Sequence, residues 1–415
     1  MNLRLALGLM VCVFLAGCEI PAQTFWSPDG TKAAYAAPSD KDSPAMMIDE
    51  SGKVLANLGE SSGGFAWSAD SKRLYFTRSG RDTDTKIELK GEWLNVSPEE
   101  IPAAENNEDN PFTICVYENN KATPLFTIDR GPAWYMAISP DQNWLAVAAT
   151  AVSGKEANIN ALYAYCIASK RVYPLSVGGP VGFCFTGPNR LAFIEPEKVK
   201  KDNSPGFGQL VEVQLVDKAE KPERHGLQVV IIFGASWLQA AGEDILFSSI
   251  AYSFPGPVPK DAADLPSKIF RYSRAQNTVK PLVDDAFEYF AVSPDGKRVL
   301  CATPAKGAND TKPTKLSVLD LATGAVHPLR DLNSTVKVGA EQFQGMPAYA
   351  TWRNNEQFTF TAPIDPNKPP TVQDGRFPVD LVLYGLSADY KVTPIRTLSE
   401  SWPAEVKPSI KKENK

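Results

Sequence analysis

The sequence predicts an all-β chain folded as a β-propeller of seven four-stranded antiparallel blades, and three observations predict it. One tight-turn motif recurs along the chain, a strand-like apolar run follows each copy, and a second hairpin follows that run. Four copies are clear: Trp26-Ser27-Pro28-Asp29-Gly30 before Lys32 to Ala37, Trp67-Ser68-Ala69-Asp70 before Arg73 to Phe76, Ile138-Ser139-Pro140-Asp141 before Trp144 to Val147, and Val292-Ser293-Pro294-Asp295-Gly296 before Arg298 to Leu300. Three are weaker: Phe185-Thr186-Gly187-Pro188-Asn189 before Leu191 to Phe193, Trp237 before Asp244 to Phe247, and Trp352-Arg353-Asn354-Asn355 before Phe358 to Phe360.

The motif is a hairpin turn. Proline presets the φ of the second turn position, aspartate caps locally, and glycine supplies a positive φ. The second hairpin is plainest at Leu316 to Gly324 running on to His327-Pro328-Leu329. Its counterparts are Met46 to Leu58, Ile114 to Leu125, Leu162 to Leu175, Leu210 to Arg224, Ile269 to Leu282 and Leu381 to Ile395. Each repeat therefore reads as four strands, A to D. The anchors at 26, 67, 138, 185, 237, 292 and 352 are spaced by 41, 71, 47, 52, 55 and 60 residues, a propeller repeat with loop insertions added. Two stacked sandwiches are the rival arrangement, but sandwiches do not require the same turn residues in every unit.

These motifs resemble the WD-like repeats of TolB-type propellers and of the propellers attached to prolyl oligopeptidase-like peptidases. The resemblance covers nearly the whole mature chain and implies an architecture rather than an activity. A hydrolase domain is not recognised, and the extra amino-terminal domain of TolB proteins is expected to have no room before Trp26.

The first residues carry a separate signal. Asn2 to Arg4 open with positive charge, Leu5 to Leu15 are almost wholly apolar, and Leu15-Ala16-Gly17-Cys18 closes the segment. The apolar run is shorter than the ~20 residues that span a bilayer. This resembles a bacterial lipoprotein signal with its lipobox, the alternative being an ordinary signal peptide or an uncleaved helix. The resemblance implies cleavage before Cys18, acylation of that residue, and membrane attachment through its lipid. Glu19 stands where an aspartate would be the usual signal for retention in the inner membrane, which favours the outer membrane, facing the periplasm. The expected organisation is a signal peptide over 1–17, a lipid-anchored linker over 18–23, a propeller over 24–401 and a disordered tail over 402–415.

Composition bounds the partners. With 43% hydrophobic residues the chain can bury a sizeable core, and at a net charge of −5 it shows no Lys/Arg stripe for phosphate, so nucleic acid is not an expected partner. After Cys12 leaves with the signal and Cys18 is acylated, Cys115, Cys166, Cys184 and Cys301 remain. Four cysteines allow three pairings, and buried free thiols are equally compatible with their apolar surroundings.

Chemistry is sparse. Only two histidines occur, His225 and His327, which excludes a three-histidine metal site, and no nucleophile elbow, zinc motif or phosphate loop is found. No cofactor or metal is expected. Asp29, Asp70, Asp141 and Asp295 are assigned to turn structure, and Trp26, Trp67, Trp237 and Trp352 to packing between blades. The acidic stretches Asp82 to Asp84 and Glu105 to Asp109 lack the ligand spacing of a calcium loop.

The A to B and C to D turns are mostly short. The B to C connections, on the opposite face, include Gly80 to Pro111, Glu195 to Gly208, Tyr252 to Ser267, Pro304 to Thr314 and Ala362 to Val379. Elaboration on one face of a repeat fold marks a working surface. Within these insertions Trp93, Leu94, Phe207, Tyr252, Phe254 and Phe377 are the candidate partner-binding residues, with self-covering of the loops as the alternative for each. The favoured role is an interaction scaffold for another envelope protein. The alternatives are a solute- or glycan-binding propeller and a carbohydrate-active enzyme using channel carboxylates.

Overall fold

The computed structural model describes residues 23–37, 43–61, 63–83, 93–94, 111–129, 131–153, 158–178, 182–196, 207–219, 221–232, 238–249, 251–252, 268–283, 289–302, 316–329, 350–363, 376–403 and 406–411. They form seven antiparallel sheets, each a blade of four strands that follow one another in the chain except in blade 5, with an additional strand on two of them. Blade 1 comprises β1 (Gln23–Trp26), β2 (Lys32–Ala36), β3 (Ser43–Asp49) and β4 (Val54–Ser61). Blade 2 is β5 (Phe65–Trp67), β6 (Leu74–Ser79), β7 (Phe112–Glu118) and β8 (Lys121–Ile128). In blade 3 the strands are β9 (Ala133–Ile138), β10 (Trp144–Ser153), β11 (Asn158–Cys166) and β12 (Arg171–Val177). Blade 4 holds β13 (Phe183–Gly187), β14 (Arg190–Pro196), β15 (Phe207–Gln214) and β16 (Glu223–Ile232). Next come β17 (Leu238–Ala241), β18 (Asp244–Ser249), the two-residue β19 (Ala251–Tyr252), β20 (Lys268–Ser273) and β21 (Thr278–Pro281). Of these, β17, β18, β20 and β21 make blade 5, while β19 joins the outer edge of blade 4. Blade 6 is β22 (Tyr289–Val292), β23 (Arg298–Ala302), β24 (Leu316–Asp320) and β25 (Val326–Pro328). Blade 7 consists of β26 (Thr351–Asn354), β27 (Gln357–Pro363), β28 (Arg376–Leu386) and β29 (Val392–Thr397), with β30 (Ser409–Lys411) also paired to β28. The chain divides into two compact units, one holding 60–281 and the other 19–59 with 282–415.

The recurring turn is built as its residues dictate, and serine is its pivot. Ser27, Ser68, Ser139 and Ser293 are buried, and each hydroxyl donates to the aspartate two residues on, at 2.6 to 2.7 Å. Each also accepts the backbone N–H five residues on, from Lys32, Arg73, Trp144 and Arg298. The residue after each aspartate takes a left-handed φ: 67° at Gly30, 69° at Gly296, and 58° and 63° at Ser71 and Gln142, where side chains replace glycine.

Strands between blades are buried on both faces, so they read as continuous apolar runs rather than alternating ones. Along β10, Leu145, Val147 and Ala149 pack with Tyr75, Ile114 and Phe126 of blade 2. Between them Trp144, Ala146 and Ala148 pack with Phe183, Leu191 and Phe193 of blade 4. Burial of each such large side chain contributes roughly 1.5–3 kcal/mol. Trp26, Trp67 and Trp352 are buried as expected of inter-blade packing. Trp26 donates its indole N–H to Thr359 of blade 7, and Trp352 donates to the Ala291 carbonyl of blade 6. Trp237 lies outside the described residues.

The expectation of a disordered tail over 402–415 is corrected for 402–403 and 406–411, the rest of that range lying outside the described residues. Trp402 is buried among Tyr35, Ile48, Leu381 and Leu398, and Ser409–Lys411 pairs with Arg376–Pro378 of β28. A lysine- and proline-rich composition suggests solvation, yet one tryptophan and one short strand suffice to dock such a segment.

Candidate functional site

Two of the expected anchors belong to the core. Trp93 is buried, stacked on Tyr173 of β12 at 4.2 Å between centroids, and lies 6.3 Å from Trp144. Its indole N–H donates to the Ala219 carbonyl at 2.9 Å. Arg224 of β16 donates to the carbonyls of Trp93 and Leu175 and pairs with Glu195. Burial pushes the Glu195 carboxyl up and the Arg224 guanidinium down, each opposed by the charge of the other. Leu94 is half-buried against the cluster shared by blades 2 and 3. Trp93 is thus corrected from an exposed anchor to a pin: a residue of the blade 2 insertion that is wedged between blades 3 and 4. An aromatic side chain with a polar handle satisfies itself better in that position than in water.

Three other candidates lie on strands rather than free loops. Phe207 begins β15 and pairs with Ile232 of β16, while Tyr252 in β19 pairs with the neighbouring Ile231. The backbone therefore brings Phe207 and Tyr252, 45 positions apart in the chain, to the same end of one five-stranded sheet. Phe377 sits in β28, paired with Ile410 of β30. Phe254 and the acylation candidate Cys18 lie outside the described residues, as do residues 84–92 and 95–110 of the blade 2 insertion.

On the opposite face, the aspartates of the short turns are held by their own turns. The Ser68 hydroxyl and the Lys72 N–H hold the Asp70 carboxyl below the usual range. At Asp141 and Asp295 burial acts upward, but the hydroxyls of Ser139 and Ser293 and the backbone N–H donors outweigh it. On the long-connection face, Asp82 at the start of the blade 2 insertion is ion-paired with Arg78 at 2.5 Å. Among the described residues no group of three His, Cys, Asp or Glu is arranged to hold a metal ion. His225 is exposed beside Glu223, and His327 stacks flat on Tyr390 at 3.6 Å. The four body cysteines are free and buried, and burial pushes the thiols of Cys115 and Cys184 up to about 11 and 12 and that of Cys301 up as well. Such thiols are protonated and unreactive.

Arginines that stitch one blade to the next were not singled out in the sequence. Arg73, five residues after Ser68, reaches Gln142 in the blade 3 turn, and Arg298, five after Ser293, reaches the Asn355 carbonyl of blade 7. Arg353 donates to the Gly30 carbonyl at 2.8 Å, pairs with Glu50, and lies over the Trp26 ring. Buried Glu212 of blade 4 is held by Arg274 of blade 5 and by Thr186. For two of them the available signal was an arginine five residues after the turn serine, at 73 and 298. These groups bind the scaffold to itself.

No family model matches the chain, and no curated protein sequence matches it. Solved structures do. An acylaminoacyl peptidase from Pyrococcus horikoshii matches with a TM-score of 0.54 at 11% identity, over 92% of this chain and 52% of that one, so this chain spans about half the length of the peptidase. The β-propeller domain of the Trilobed protease from Pyrococcus furiosus, described as having an open velcro topology, matches at 0.52 and 10% identity over 93% and 99%. TolB from Acinetobacter baumannii matches at 0.40 and 14% identity over 91% and 79%. At such identities the likeness shows the fold alone: this is a β-propeller.

Proposed function

We propose that the chain is a lipid-anchored envelope protein whose propeller serves as an interaction scaffold, docking a protein partner through the face of its long B to C connections. The observation that carries this reading is the asymmetry of the connections. On one face the turns are short and their aspartates are consumed by their own serine hydroxyls and N–H groups. Five of the opposite connections, in blades 2, 4, 5, 6 and 7, are far longer than a strand-to-strand link requires, and four of these hold aromatic residues. The lipobox-like Leu15-Ala16-Gly17-Cys18 supports the anchor.

With Trp93 and Leu94 withdrawn, the docking residues narrow to Phe207, Tyr252, Phe254 and Phe377. In-cell crosslinking from a photoreactive residue at Tyr252 and at Phe377, with exposed Lys297 on the short-turn face as control, tests the role. A discrete protein adduct from the first two sites alone supports docking and captures the partner. Adducts from neither site, or equally from Lys297, overturn it. For the anchor, Cys18→Ala is expected to shift the protein from the membrane fraction to the soluble one, and unchanged membrane attachment removes that part of the proposal.

A further inference from the structure

Blade 1 is made of β1 to β4 and blade 7 of β26 to β29, so among the described residues no strand is shared between these two blades. Side-chain contacts join them. Beyond the Trp26 and Arg353 bonds already described, the segment that follows β29 makes a further one, and its path is unusual. It is fastened to blade 7 at both ends. At the first, the Leu398 N–H donates to the Leu381 carbonyl, while the Ser399 hydroxyl donates to Asp380 and accepts from the Leu381 N–H. At the second, β30 pairs with the start of β28, and the Val379 N–H donates to the Pro408 carbonyl at 3.0 Å.

Between those fastenings the chain reaches blade 1. The Trp402 indole N–H donates to the Gly52 carbonyl in the β3 to β4 turn at 2.7 Å, and its ring lies 4.7 Å from that of Tyr35 in β2. Trp402 is buried, and Val406 packs against the same cluster. We infer that the described residues 398–403 and 406–411 act as a clasp: anchored twice on blade 7, they insert Trp402 into blade 1 and do with one side chain what a shared strand would do. The clasp makes the order of blade 1 depend on a residue 350 positions away from the turn that it grips. Its loss frees β1 to β4 ahead of blades that do not touch it, because local opening follows local contacts.

Hydrogen exchange read by mass spectrometry on the full chain tests this with Trp402→Ala and Trp402→Phe. The expected result is a loss of protection in β1 to β4 of about tenfold or more for Trp402→Ala, a smaller loss for Trp402→Phe, which keeps a ring and removes the N–H, and no change in β9 to β12. Unchanged protection of blade 1, or an equal loss across all blades, overturns the clasp. Should Trp402→Ala fail to fold, Trp402→Phe decides by the same criterion.

Discussion

A Cβ placed on Gly52 would stand 2.1 Å from the carbonyl oxygen of Leu398, so only glycine lets the β3 to β4 turn of blade 1 lie against the end of blade 7. Gly52 also holds a φ of 88°, which L side chains rarely adopt. Gly63 has the same φ of 88° but open space where a Cβ would go, and it separates the two effects. Gly63→Ala is expected to cost about 1–2 kcal/mol, the left-handed term alone. Gly52→Ala should cost at least about 2 kcal/mol more, since backbone must move. Urea unfolding of the two variants checks this, and equal losses would show that the turn relaxes freely.

Trp93→Ala is expected to destabilise the fold by about 3–5 kcal/mol, as removal of a buried aromatic does. The same variant should leave crosslinking from Tyr252 intact. Thermal unfolding and the in-cell adduct together distinguish a pin from an anchor, because an anchor would lose the adduct with little change in stability.

The Arg224 and Glu195 pair should respond unequally. Arg224→Met strands the Glu195 carboxylate and removes the donor to the Trp93 and Leu175 carbonyls, at a cost of about 3–5 kcal/mol. Glu195→Gln leaves the guanidinium with both carbonyls and should cost less. Chemical denaturation of the two variants provides the comparison, and a larger loss for Glu195→Gln would reverse the assignment.

Acid should loosen the turns. Asp70, Asp141, Asp295 and Asp320 all have folded values held below the usual carboxylate range. Their contribution is therefore full above the unfolded value of about 4 and is lost as pH falls through the folded values. Glu195, raised by burial, has the opposite sign, so its protonation favours the folded state on acidification. The expected outcome is a Tm that falls below about pH 4, with a shallower fall in a variant carrying Asp70→Asn and Asp141→Asn. A Tm profile with identical acid slopes in both proteins would show that these turns do not govern it.

The propeller was legible in the chain because its signature is local. The bonds that make Ser68-Ala69-Asp70-Ser71 a turn all close within five residues, so a serine, an aspartate and the run after them announce a hairpin wherever they stand. Two-sided burial wrote itself into the unbroken apolar run Trp144 to Ala149 for the same reason. Only the tertiary structure decided that Trp93 is a pin, that Trp402 grips blade 1, and that Phe207 and Tyr252 meet in one sheet. Trp93 takes its partners from Tyr173 and Ala219, and Trp402 from Gly52 and Leu398. A tryptophan among polar neighbours looks the same in a solvated loop and in a buried wedge. What separates the two is the free energy of burial against residues that only the folded chain brings near.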